Sequence, residues 1–217
     1  MEKVETHYTC GCCKHQFSKI EILSAYYHDT TLYGKPIGNE LPESLVECPK
    51  CHYVSDDIEY INDSTKQIVL SKEYKKLFKP TTISSKYEAA LKLYIDQEDI
   101  IEILKEYVWV LEDNNEKETA FNIRERLIYE LDTYLDYEVN LDYVMICLDS
   151  LRINHRFTEA NNIIQEFFKE LSYKKFLCND LLDLIDFLKF EQKLVSKKDT
   201  DIHYVSEIDS TYIQLQY

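Results

Sequence analysis

Four cysteines arranged as two hooks, Cys10-Gly11-Cys12-Cys13 and Cys48-Pro49-Lys50-Cys51, are the residues of this sequence best suited to chemistry. Two residues between the cysteines let both sulfurs of a hook reach one ion, while the tight turn aims backbone amides at them. Two hooks supply four thiolates, the set preferred by one tetrahedral zinc ion. The metal ligands expected are therefore Cys10, Cys13, Cys48 and Cys51. The hooks lie further apart than in the commonest zinc ribbons, and a loop over residues 29–42 is expected to take up the excess. Phe17 and Tyr53, a few residues beyond the hooks, are natural packing partners for so small a core.

Four thiolates close a zinc site, whereas a catalytic zinc keeps a position open for water. A structural ion without reactivity is the expectation, with a redox dithiol as the competing use of the same residues. Cys12 forms a C-x-C with Cys10, a poorer hook, and is read as a bystander. His15 and His52 stand next to the hooks as alternative ligands. Cys147 and Cys178 fall in helical patterns and read as buried, inert thiols. His155 sits in a helix turn as a surface or packing residue.

Composition agrees with zinc. Seven cysteines occur without the basic and apolar regions of a secretory signal in residues 1–6, so a cytoplasmic, reducing location is expected, where paired cysteines bind metal rather than pair as disulfides. No apolar run is long enough to span a membrane. The net charge of -15 is concentrated after residue 80. That sign disfavours general nucleic-acid binding, which needs Lys and Arg to displace counterions. Only three glycines occur, and neither common phosphate-binding glycine motif is present. No H-E-x-x-H or G-x-S-x-G is found. The acidic pairs Asp56/Asp57, Glu98/Asp99 and Glu112/Asp113 fall at loop or helix ends. A non-enzymatic protein is expected, with no catalytic residues.

Residues 1–62 hold all the glycines, three of the four prolines and five of the cysteines, the composition of turns and short strands. Strands are expected at 19–27 and 44–47. From residue 71 the pattern turns helical: a short helix at 72–79 stopped by Pro80, then one opened by a capping box at Ser85 and running to about residue 96. Residues 99–112 carry Ile100, Ile103, Leu104, Tyr107, Val108 and Leu111 as one stripe, with Ile101 and Trp109 beside it. Further stripes follow on Ala120 to Tyr134, on Leu141 to Leu151, on Ala160 to Leu171 behind a Thr158 cap, and over residues 177–195. Short connections make these an antiparallel α-hairpin array. The domains read as a zinc ribbon (1–62), a connecting segment with a short helix (63–82), a tetratricopeptide-like helical domain (83–196) and a tail (197–217) that is either a docked strand or disordered. The fold class is thus α with a small β zinc ribbon.

The stretch Asn154-His155-Arg156-Phe157-Thr158-Glu159-Ala160 resembles the tight turn of a tetratricopeptide repeat. A generic helical bundle is the alternative packing. Cys10–Phe17, Cys-Pro-Lys-Cys-His-Tyr at 48–53, Trp109 in a helix and the turn from Leu151 to Ala160 follow in one order. In this order the chain resembles the bacterial domain of unknown function 2225 family. The resemblance implies a zinc ribbon joined to tetratricopeptide-like helices and names no activity. The sequence departs from it at Gly11, where Pro is usual, at His52, where Gly usually follows the second hook, and in the helix turn, which lacks its common Gly.

The function expected is a zinc-binding protein-interaction adaptor whose helices capture a basic or mixed-charge protein or peptide. The alternative is a regulator whose ribbon contacts nucleic acid through Lys14, Lys19, Lys35 and Lys50.

Overall fold

The computed structural model describes residues 2–38, 44–132, 141–171 and 179–208, the side chains of Leu141 and of residues 179–183 excepted. The expectations at Tyr134, Cys178 and the tail beyond residue 208 lie outside these residues. The described residues divide into two compact units, one within Met1–Tyr27 and Gly38–Ala120, the other within His28–Ile37 and Phe121–Tyr217. The chain is mostly α: small antiparallel β-hairpins with a four-cysteine cluster come first, and helices packed as adjacent pairs follow.

In the first unit, β1 (Glu2–Thr9) and β2 (Gln16–Ser24) form a long hairpin, with Tyr8 opposite Phe17 and Glu5 opposite Ile20. The strand expected at 19–27 thus begins three residues earlier, and its partner was not foreseen. Both strands expose most of their side chains, so the burial alternation that marks a strand in sequence is weak. The described part of the segment expected as a loop over 29–42 instead enters a hairpin of β3 (Tyr27–Thr30) and β4 (Pro36–Gly38), which pair with each other and whose residues 28–37 belong to the second unit. Their turn is closed by Thr31 N–H donating to Lys35 O at 2.9 Å, with Gly34 at φ 87°. Leu32 and Tyr33 within it are buried. The signal available was this apolar pair followed by Gly. Of the strand expected at 44–47, only β5 (Val46–Glu47) forms, paired with β6 (Val54–Ser55) across the second cysteine turn.

Helix begins at residue 63 rather than 71. α1 (Asp63–Leu70) is capped by Asn62, whose Oδ1 accepts from Thr65 N–H at 2.8 Å. Serine caps α2 (Lys72–Lys76) in the same way, Ser71 Oγ accepting from Tyr74 N–H at 3.2 Å. α3 (Ile83–Ala90) starts earlier than its expected cap: Ser85 is not the N-cap but the third helical residue, its Oγ accepting from Thr82 N–H at 2.9 Å. α4 (Gln97–Asp113) buries Ile101, Ile103, Leu104, Tyr107, Val108 and Leu111. Ile101 is therefore central to the buried face rather than beside it. Tyr87 of α3 stacks on Tyr107 of α4 at 4.9 Å between ring centres, fixing that pair.

α5 (Lys117–Asp132) opens on the Glu116 carbonyl and enters the second unit at Phe121. There α6 (Leu141–Ile153), α7 (Phe157–Leu171) and α8 (Asn179–Lys197) pack together, α6 touching both others. The α6–α7 turn is where the repeat-like stretch falls. His155 takes φ 63°, the left-handed conformation that a glycine would supply without strain. Arg156, not Thr158, occupies the N-cap of α7, its carbonyl accepting from Ala160 N–H at 3.1 Å. Asn154 is buried with both ends of its amide used. Its Oδ1 accepts from Arg124 Nη1 at 2.9 Å, and its Nδ2 donates to Phe121 O and Glu125 Oε1. Among the described residues no helix is long and apolar enough to cross a membrane.

The tail expected from residue 197 begins inside α8, which runs through Lys197, and residues 199–208 are docked. Arg152 Nη1 donates to the carbonyls of Asp199 and Asp201, each at 2.9 Å, and Leu32 N–H donates to His203 O at 3.1 Å. Tyr204 bridges Thr31 ahead of a single 3₁₀ turn, Val205–Glu207.

Candidate metal centre

The first hook closes the β1–β2 hairpin, and the second closes the β5–β6 hairpin. Their backbones are arranged alike. Cys10 N–H donates to His15 O at 2.9 Å and Cys10 O accepts from Lys14 N–H at 2.9 Å. Cys48 N–H donates to Tyr53 O at 2.8 Å and Cys48 O accepts from His52 N–H at 2.9 Å. Each turn then leaves through a left-handed residue, Lys14 at φ 58° and His52 at φ 61°. The position after the second hook thus takes the backbone that glycine adopts most easily, occupied here by His52.

These turns bring Cys10, Cys13, Cys48 and Cys51 together, with all four Sγ atoms within 4.8 Å of one another. Cys10 and Cys51 Sγ are 3.6 Å apart, and Cys13 and Cys48 Sγ 3.7 Å. A tetrahedron with metal–sulfur bonds of about 2.3 Å has edges of about 3.8 Å, so the four sulfurs fit one ion. All four are free thiols. Cys10 and Cys48 are fully buried and the other two half-buried. Cys12 is buried beside Cys51 but is not one of the four.

The electrostatics are those of a donor set crowded in a small space. Burial pushes the Cys10 thiol up to about 11 and the Cys51 thiol further up. Burial also acts against ionising Cys13, but the N–H of His15 and the neighbouring thiols outweigh it and hold Cys13 below its ordinary value. Ionising four adjacent sulfurs requires a cation among them, which is the chemistry of a metal clamp.

The surroundings hold the hooks in place. Gly11 N–H donates to Ile58 O at 2.9 Å, and a Cβ at Gly11 would lie 2.6 Å from Glu59 O. Pro at that position could make no such bond. Tyr53 is buried, its hydroxyl donating to Tyr60 O at 2.7 Å. Phe17, expected to share that core, instead lies half-exposed between Tyr8 and His15. Its place is taken by Tyr74 and Phe78, from the segment read only as a connector. The Tyr74 hydroxyl donates to His52 O at 2.8 Å, and Phe78 stacks on the His52 ring at 4.2 Å.

Neither histidine joins the sulfurs. His52 Nδ1 is 2.7 Å from Glu47 Oε1, and His15 stacks on Phe17. Cys147 is buried in α6 and pushed up to about 12 by desolvation. Of the four lysines considered for nucleic acid, Lys14 and Lys50 are exposed, but Lys35 is only 8% exposed and belongs to the second unit. The acidic pairs do structural work: Asp56 accepts from the Tyr94 hydroxyl at 2.5 Å, and Glu98 and Asp99 stand in the first turn of α4.

One polar centre escaped the sequence. Asp149, Arg152 and Glu191 are each fully buried in the second unit. Arg152 Nε donates to Asp149 Oδ1 at 3.1 Å. Glu191 Oε1 is 3.0 Å from the same nitrogen, with no hydrogen bond formed to it. Burial, then the charge of Asp149, push the Glu191 carboxyl up to about 8. The available signal was a charged i, i+3 pair inside the Leu148/Leu151 stripe. No family model, curated protein or solved structure matches this chain.

Proposed function

We propose that this chain is a non-enzymatic, cytoplasmic protein-interaction adaptor, with one structural zinc ion clamping its N-terminal hairpins. One observation carries the metal reading: four sulfurs from two matching turns lie within 4.8 Å of one another, the spacing of a set that can share one tetrahedral ion. Zinc held by four thiolates has no vacant position for water or substrate, and its effect is to fold the ribbon. Free thiols suit a reducing compartment. The resemblance to the domain of unknown function 2225 family belongs to this proposal, as an architecture without an activity. The partner expected is basic or of mixed charge, because a net charge of -15 favours such surfaces.

Elemental analysis of the purified chain tests the metal reading. One zinc per chain is expected, lost in Cys48→Ser and kept in Cys12→Ser. A folded, metal-free ribbon overturns it. The adaptor reading is tested by in-cell cross-linking of the full chain followed by binding of the purified candidate at low and high salt. A direct partner whose affinity falls with salt is expected. Binding that is indifferent to salt, or a turnover assigned to the cysteine cluster, overturns it.

A further inference from the structure

The β1–β2 hairpin is a two-stranded sheet, so each strand has one free edge unless something covers it. Among the described residues, no backbone group pairs along the outer edge of β2. That strand also exposes large apolar side chains, Ile20 at 67% and Leu23 at 60%. An edge with no strand beside it among the described residues is a template for another strand.

The order of residues in β2 says which strand fits. Its nine residues, Gln16–Ser24, are centred on Ile20. If a second copy of β2 lies antiparallel with a twofold axis at Ile20, Lys19 faces the partner's Glu21, and Glu21 faces the partner's Lys19. Phe17 then faces the partner's Leu23, Ile20 faces its own copy, and the strand is used from end to end with no overhang. Directly opposed residues share a face of the sheet, so both charge pairs and apolar pairs are in reach. Centring on Lys19 or Glu21 would set like charges against each other. Centring on residue 18 or 22 would oppose Phe17 to Lys19 or Glu21 to Leu23. The outer edge of β1 offers a shorter match, with Lys3 facing the partner's Glu5 about Val4 over five residues.

We infer that β2 pairs edge to edge with β2 of a second copy about a twofold axis at Ile20, joining two hairpins into one four-stranded sheet. The Glu21 carboxylate accepts from the hydroxyls of Thr6 and Tyr8 of β1, on the face of the hairpin that also carries Lys19. The surface lies wholly in the first unit and is independent of any partner of the helices.

The test is sedimentation of the purified full chain over a range of concentrations, combined with single cysteines on the exposed strand. A monomer–dimer equilibrium is expected. Lys19→Glu turns two attractions into repulsions and weakens it about tenfold, on the scale of two cross-strand pairs. Combining Lys19→Glu with Glu21→Lys restores opposite charges and recovers the dimer. Under mild oxidation Ile20→Cys forms a covalent dimer beyond the background of the unsubstituted chain, because opposed Cβ atoms lie within disulfide reach. Leu23→Cys and Val4→Cys do not. A monomer at every concentration, a dimer indifferent to Lys19→Glu, or cross-linking at Val4 or Leu23 equal to that at Ile20 overturns the inference.

Discussion

Lys14 and His52 occupy the same place in two separate turns. Each donates its N–H to the carbonyl of a cysteine four residues earlier at 2.9 Å, and each adopts a left-handed backbone, φ 58° and 61°. The two hooks are thus copies of one device, and both carry the strain of a side chain where glycine is easiest.

That strain differs in what accompanies it. Lys14 has an exposed side chain, so Lys14→Gly is expected to raise the stability of the metal-loaded ribbon by about 1 kcal/mol. His52→Gly gives up the Phe78 stack and the Glu47 contact, and these offset the same relief. Thermal unfolding of both variants should show a gain for the first and none for the second.

Gly11 is fixed for a different reason, lack of room. Gly11→Ala places a Cβ against the Glu59 carbonyl, and Gly11→Pro also removes the N–H given to Ile58. Both are expected to weaken the clamp, on the order of 2 kcal/mol for Ala and more for Pro. Competition with a chromophoric chelator measures it.

Stripping the metal should act unevenly. With a strong chelator, amide protection in the two cysteine turns and in β5–β6 is expected to collapse, while that of α6–α8, held by an apolar core of their own, persists. Hydrogen exchange with mass readout separates the two outcomes.

Glu191 gives a pH dependence of determined sign. Its folded value, about 8, lies above the ordinary 4.5, so the folded state holds a proton that the unfolded state releases. Its contribution is fully present below pH 4.5 and is lost as pH rises towards 8. Asp199 works oppositely: the N–H of Asp201, followed by His203, holds it below 3.8, so its contribution is present above that pH and lost in acid. Glu191→Gln should flatten the fall in denaturant midpoint between pH 5 and pH 8 and leave the acid limb unchanged.

Arg152→Met should be costly, about 3–5 kcal/mol, because it strands two buried carboxyl groups. It also frees the carbonyls of Asp199 and Asp201, so protease sensitivity of the tail is expected to rise with the loss of stability.

Much of the site was legible because metal ligation is a local pattern. The spacing of Cys10, Cys13, Cys48 and Cys51 already limits which sulfurs can share an ion, and the long helices declare themselves by periodic leucines and isoleucines. The β1–β2 hairpin was legible only in part, because the half-buried face of β2 carries Lys19 and Glu21 beside Phe17 while Ile20 is exposed, so burial does not follow an apolar alternation. The aromatic support from Tyr74 and Phe78 was hidden by distance along the chain: nothing local says that a short connector helix turns its rings onto His52.

The sequence by itself determined which four cysteines could share one ion, the helical character of the later chain and its acidity, since each depends on residue type and near spacing. Tertiary structure alone decided that residues 28–37 join the second unit, that Lys35 is buried there, and that Arg152 ties the tail down between two buried acids. These are contacts between residues far apart in the chain, and their energies depend on burial and geometry that no local pattern encodes.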